Sequence, residues 1–167
     1  MMTYEEAVKL AMKLRALSIA IKGVELFGSV LAKGRGRDAD FVILVSDELS
    51  RRWWSEGREM IRVRWPAAWY GQRWIVKTFA PFLYAATVHR RRRDRLKFSA
   101  DLVGVDLQNL AGPDGKTPDF ELFLMPTDWR INKSLNIDAL RRFTDLVDDR
   151  NTLGFLKRIA HDAAIVA

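Results

Sequence analysis

An α/β fold, with a small mixed sheet and helices packed on one face, is what this sequence predicts. Three observations lead there. Apolar residues at helical spacing open the chain and run into an apolar strand, Val24–Phe27. A second apolar strand, Phe41–Val45, follows after a short basic loop. A third, Phe120–Met125, returns after a long intervening stretch and stops at Pro126.

Each element has a local reason. Thr3 and Glu6 form a capping box at a helix start. Ala7, Leu10, Ala11, Leu14, Leu17 and Ile21 continue at helical spacing, and Gly23 reads as the stop. The first strand then meets a Gly28-Ser29 turn and a Gly-rich loop carrying Lys33, Arg35 and Arg37. Asp38-Ala39-Asp40 opens the second strand, which is apolar on both faces and therefore central. Ser46-Asp47-Glu48 caps a helix beginning near Leu49.

Pro66 and Pro81 divide the next region into a helix, an extended stretch around Ile61–Trp65, and a helix from about Tyr70 to Arg93. Phe98 to Leu107 reads as a strand, and Gly112-Pro113-Asp114-Gly115-Lys116 as a turn. Phe120–Met125 is then expected antiparallel to that strand. Helices from Asn136 or Ile137 and from Asn151 to Ala167 close the chain. With no repeat and no linker, residues 1–167 read as a single domain with a basic, Trp-rich helical insert at about 47–97.

Composition narrows the function. The chain has 167 residues, 49% of them hydrophobic, enough for a substantial core. It has no cysteine, which excludes a disulfide scaffold and a thiolate zinc site. His89 and His161 are too isolated for a His-based metal site. The apolar run from Phe79 to Val88 is too short to span a bilayer. Glu5 and Glu6 stand where a signal peptide would be basic, so a cytoplasmic location and no membrane are expected. Lys and Arg number 28 against 21 Asp and Glu, a net charge of +7 that favours polyanionic partners. Trp53, Trp54, Trp65, Trp69 and Trp74 interleave with arginines, and the insert ends in Arg90, Arg91, Arg92 and Arg93. Such a run can bind phosphates and stack on bases, or serve as a solvated face over a Trp core.

The chemistry concentrates between Gly28 and Asp40. Alternation along a strand turns Asp38 and Asp40 to one face, ~6–7 Å apart, within reach of one divalent ion or a close pair. Backbone N–H groups of a tight turn, basic side chains and carboxylates for Mg²⁺ are the parts that phosphoryl transfer needs.

This arrangement resembles the polymerase β-like nucleotidyltransferase superfamily, whose motif is a hydrophobic strand, Gly-Ser or Gly-Gly, a loop and Asp-x-Asp. The likeness covers residues 23–45 and extends to 118–126, where Glu121 begins a run of an acid, four mostly apolar residues and Pro. Glu stands where that family more often has Asp, and the loop is slightly short. The resemblance implies a palm-like nucleotidyltransferase fold and transfer of a nucleoside monophosphate from an NTP to a hydroxyl. It implies Mg²⁺ (or Mn²⁺) on Asp38, Asp40 and Glu121, with Asp119 as the fallback third ligand. Gly28 and Ser29 would hold the triphosphate, and Lys33, Arg35 or Arg37 would neutralise it. The basic insert makes nucleic acid the first expected acceptor. A partner protein's hydroxyl, as in toxin–antitoxin nucleotidyltransferases, and a non-catalytic nucleic-acid-binding module are the alternatives.

Overall fold

The computed structural model describes residues 1–49, 92–127, 159 and 161–167. Most of the Trp-rich insert, Arg90 and Arg91, the helix expected at Asn136, and Leu153, Leu156 and Ala160 lie outside the described residues.

Helix α1, Tyr4–Leu17, follows a two-residue strand β1, Met2–Thr3. Its start is the expected capping box. The Thr3 hydroxyl accepts from the Glu6 backbone N–H, and the Glu6 carboxylate accepts from the Thr3 backbone N–H at 2.7 Å. Ala7, Leu10, Ala11 and Leu14 are its buried stripe. Thr3→Ala should lower stability by ~1 kcal/mol, measured by urea denaturation, since the Glu6 backbone N–H loses its acceptor. An unchanged midpoint would mean that the first turn contributes nothing to the global transition.

The helix stops earlier than its spacing suggests. Ser18 is extended, its hydroxyl donates to the Val103 carbonyl, and Ile21 N–H donates back to the Ser18 carbonyl at 3.1 Å. Ile21 and Gly23 therefore belong to strand β2, Ile21–Phe27, and Gly23 is not the helix stop. Ile21 fits both periods, and pairing with Val45 decides for the strand.

The expected Gly-rich loop is partly regular. Helix α2, Gly28–Lys33, leads to strand β3, Arg35–Gly36, which pairs antiparallel with β1. Strand β4, Ala39–Val45, follows, and Ser46 caps the next turn through Leu49 N–H at 3.3 Å.

Two expectations are overturned further on. Phe98 to Leu107 is not a strand, because helix α3 runs from Arg92 to Leu102 and a 3₁₀ turn follows at Leu107–Leu110. Leu96, Ala100 and Val103 recur at helical spacing and pack into the core, which outweighs the alternation around Phe98. Strand β5, Phe120–Pro126, consequently has no antiparallel partner there. It pairs in parallel with β4, from Ala39↔Phe120 to Val45↔Pro126. A parallel pair needs a long crossover, and residues 46–119 supply its length. The turn at 112–116 forms as expected, with Gly112 N–H donating to the Lys116 carbonyl at 2.9 Å.

The chain end is also corrected. Ile159, His161 and Asp162 are helical, but the helix expected to run to Ala167 does not, and Ala164–Ile165 forms strand β6 on the outer side of β2. Val166 N–H donates to Val24 O at 2.9 Å, and Val24 N–H to Ala167 O at 2.8 Å. These bonds satisfy edge groups of β2 that a terminal helix would have left open.

The result is a mixed four-stranded sheet in the order β5-β4-β2-β6, with the β1–β3 pair beside it. Val24, Leu26, Phe41, Ile43, Phe120, Leu122 and Leu124 face α1 and α3 in one core. The opposite face carries Asp40, Val42, Glu121, Phe123 and Met125 by alternation, and Val42 and Met125 are fully buried. No helix among the described residues is long and apolar enough to cross a membrane.

Candidate active site

Three strand ends build the site. β2 ends at Phe27, β4 begins at Ala39 and β5 at Phe120. Because β4 and β5 are parallel, their starts lie side by side, and Asp40 is in register with Glu121. On the other side Asp40 is opposite Phe27, the residue before the Gly-Ser turn. The register of the two strand pairs therefore brings Gly28, Asp40 and Glu121 to one sheet end.

Gly28 touches this centre directly. Its φ is +79°, in the left-handed region, and a Cβ there would lie 2.6 Å from Asp40 Oδ2. Gly36 serves a similar purpose for Ser29, since a Cβ on it would meet the Ser29 hydroxyl at 2.2 Å and Val30 Cγ2 at 2.9 Å. The two glycines let the turn lie flat against β4 and β3.

The acids are less open than strand ends suggest. The side chains of Asp38 and Glu121 are about one-fifth exposed, at 20% and 21%. Arg92, at the start of α3, pairs with both: its guanidinium bonds Asp38 Oδ2, and its Nε lies 2.8 Å from Glu121 Oε1. Burial opposes the charge on Arg92, but Glu121, Asp38 and Asp40 together hold its pKa above the ordinary value. Asp40 is pushed up to about 6, first by burial and then by the charges of Asp38 and Glu121, with Arg92 acting against them.

That shift has a sign for stability. An unfolded Asp40 ionises near its ordinary 3.8, the folded one near 6. Between those values the folded state binds more protons, so stability falls as pH rises through the window. Asp40→Asn should remove the fall and leave the metal-free protein more stable above about pH 6, by on the order of 1–2 kcal/mol after discounting solvent screening. Urea unfolding in chelator at about pH 4 and pH 8 measures it; identical pH slopes for variant and wild type would refute the coupling.

The remaining expected residues divide. Gly28, Ser29 and Asp40 line a cleft of about 580 Å³ with Phe27, Leu31, Ala32 and Asp162. Lys33 and Arg35 are exposed. Arg37 borders a different cleft, of about 350 Å³, with Lys9, Lys13, Glu6 and Asp119. Asp119 is exposed and precedes β5, so Glu121 is the acid brought to the Asp pair. Of the arginine run, Arg92 is turned to the acids and Arg93 is exposed.

Among the described residues, no three acidic or histidine side chains already form a metal-holding group. The chemistry of the donors still suits one. Carboxylate oxygens are what Mg²⁺ and Mn²⁺ take, and two of the three acids occupy neighbouring strand positions. Mutual repulsion spreads carboxylates apart, and the guanidinium of Arg92 lies on two of them.

Comparison with protein-family models, curated proteins and solved structures returns no match.

Two participants were missed by motif reasoning. Arg92 has no sequence mark that separates it from the three arginines before and after it. Asp162, two residues before β6, lines the cleft, and its Oδ1 lies 2.7 Å from His161 Nδ1.

Proposed function

We propose that the protein is a divalent-metal-dependent nucleotidyltransferase with a palm-like fold, moving a nucleoside monophosphate from an NTP to a hydroxyl. The observation that carries this reading is the register of Asp40 with Glu121, beside a Gly-Ser turn packed on the Asp40 carboxylate.

Asp38, Asp40 and Glu121 would hold the metal. Bound Mg²⁺ or Mn²⁺ would supply charge neutralisation for the triphosphate and lower the pKa of the acceptor hydroxyl. Gly28 and Ser29 line the cleft and offer backbone N–H and hydroxyl donors to phosphate oxygens. Phe27, Leu31 and Ala32 give it an apolar wall. Partial burial at Asp40 lowers the polarity around the centre, which strengthens charge interactions there. Above about pH 6 Asp40 is ionised and ready for a cation.

Nucleic acid is the acceptor this reading favours, on the net charge of +7. The register of Glu121 with Asp40 supports an enzyme over a purely binding module. The deciding experiment incubates the chain with each labelled NTP, Mg²⁺ and mixed cellular RNA and protein. Label on RNA supports the proposal in full. Label on a protein band moves the acceptor to a partner protein. No label with any NTP, in Mg²⁺ or Mn²⁺, refutes the enzyme reading.

A further inference from the structure

The acidic centre already holds a cation of its own. Arg92 comes from α3, far along the chain from the Gly-Ser and Asp-x-Asp segment, yet its guanidinium bridges Asp38 and Glu121. It is not a loose surface pair. Arg92 is about two-thirds covered and its partners about four-fifths, at 35%, 20% and 21% exposure. Among the described residues, no ion pair joins Lys33, Arg35 or Arg37 to these acids.

A guanidinium presents several N–H donors in a rigid fork and can span two carboxylates. A divalent cation is coordinated by the same carboxylate oxygens. A guanidinium and a metal ion held on Asp38 Oδ2 and Glu121 Oε1 together would lie within a few ångströms of each other and repel, so the two cations compete for these oxygens. Resting on the reading of this centre as a metal site, we infer that Arg92 is its resident counter-ion, and that a divalent cation binds by displacing Arg92 from Asp38 and Glu121.

Three consequences follow. Without metal, Arg92 keeps mutually repelling carboxylates together at the sheet end. With metal, part of the binding free energy is spent on breaking a shielded ion pair, so affinity is set lower than the acids alone would give. Once displaced, the guanidinium is a free cation beside the cleft at the moment when a triphosphate would need one.

The test is Mn²⁺ binding to the full-length chain, read from free Mn²⁺ by electron paramagnetic resonance at about pH 8, where carboxylates are ionised. Thermal unfolding with and without Mn²⁺ is the second readout. Arg92→Gln should bind Mn²⁺ about tenfold tighter or more, because its competitor is gone. Its metal-free unfolding temperature should fall, and Mn²⁺ should raise it by more than it raises the wild type's. Arg92→Lys keeps the charge but not the fork and should bind with intermediate affinity.

A residue that merely braces the fold would not tighten metal binding when removed. If the wild type binds and Arg92→Gln binds equally or more weakly, the displacement idea is overturned while the metal site stands. If neither binds, the metal reading fails and takes this inference with it. Binding by Arg92→Gln alone would support it most strongly. Should Arg92→Gln fold only when Mn²⁺ is present, that too supports it. If it does not fold at all, Arg92→Lys decides: tighter binding supports the inference, equal or weaker binding overturns it.

Discussion

Asp40→Asn is expected to lower the rate of nucleotidyl transfer by on the order of 10³-fold, and Asp38→Asn by a similar factor. Both substitutions keep side-chain size and remove a full negative charge from the acidic end of the sheet. Loss of activity commonly has a trivial cause, which is unfolding. Here the two causes point in opposite directions. The half-buried carboxylate of Asp40 is ionised at a cost, since its pKa is pushed up to about 6 by burial and by Asp38 and Glu121. Asp40→Asn should therefore be dead and more stable together above about pH 6, the signature of a residue kept for chemistry at the expense of the fold. Steady-state transfer with labelled NTP and urea unfolding on the same preparation give both numbers. Transfer at the wild-type rate by either variant would remove the proposed mechanism.

How far the sequence could be read depends on where each element gets its instructions. α1 was legible because Thr3, Glu6 and the Ala7–Leu14 stripe are local signals that act within one helix. β4 was legible because a run apolar on both faces has few other fates. Segments with two acceptable periods were not legible. Ile21 suits a helix stripe as well as a strand, and Phe98 to Leu107 alternates while also placing Leu96, Ala100 and Val103 on one helix face. In both cases the decision came from distant partners: Val45 for Ile21, and the shared core for α3. β6 is short and exposed, and it exists because β2 has backbone groups to satisfy, which no local pattern announces.

The site follows the same rule. Asp38, Asp40 and the Gly28-Ser29 turn were readable, since they lie on consecutive elements joined by a short connection. Glu121 was readable from its acid-to-Pro run, and the parallel register now brings it beside Asp40. The antiparallel neighbour expected for its strand is replaced by helix α3, and the strand pairs in parallel with β4 instead. Arg92 was seen only as one of four arginines. Its position opposite Asp38 and Glu121 depends on where α3 starts relative to β4 and β5, a tertiary fact with no trace in residue spacing.

Gly28→Ala tests the approach of the Gly-Ser turn to Asp40. At φ +79° an alanine costs ~1–2 kcal/mol on backbone grounds alone. Its Cβ would also sit 2.6 Å from Asp40 Oδ2, so the carboxylate must swing aside at a further ~1 kcal/mol for an unfavourable rotamer. The total expected loss is ~2–3 kcal/mol by urea denaturation. Under the proposed mechanism transfer should fall by on the order of 10²-fold or more, because a metal ligand misplaced by about an ångström would lose that much. The two parts separate in a double-mutant cycle. In an Asp40→Ala background the carboxylate is gone, so Gly28→Ala should cost only the backbone part. Equal costs in both backgrounds would mean that Gly28 is required for its φ alone and not for the approach of Asp40. Wild-type transfer by Gly28→Ala would further show that the turn can move away from β4 without disturbing the acids, and the Gly-Ser turn would then lose its place in the proposed site.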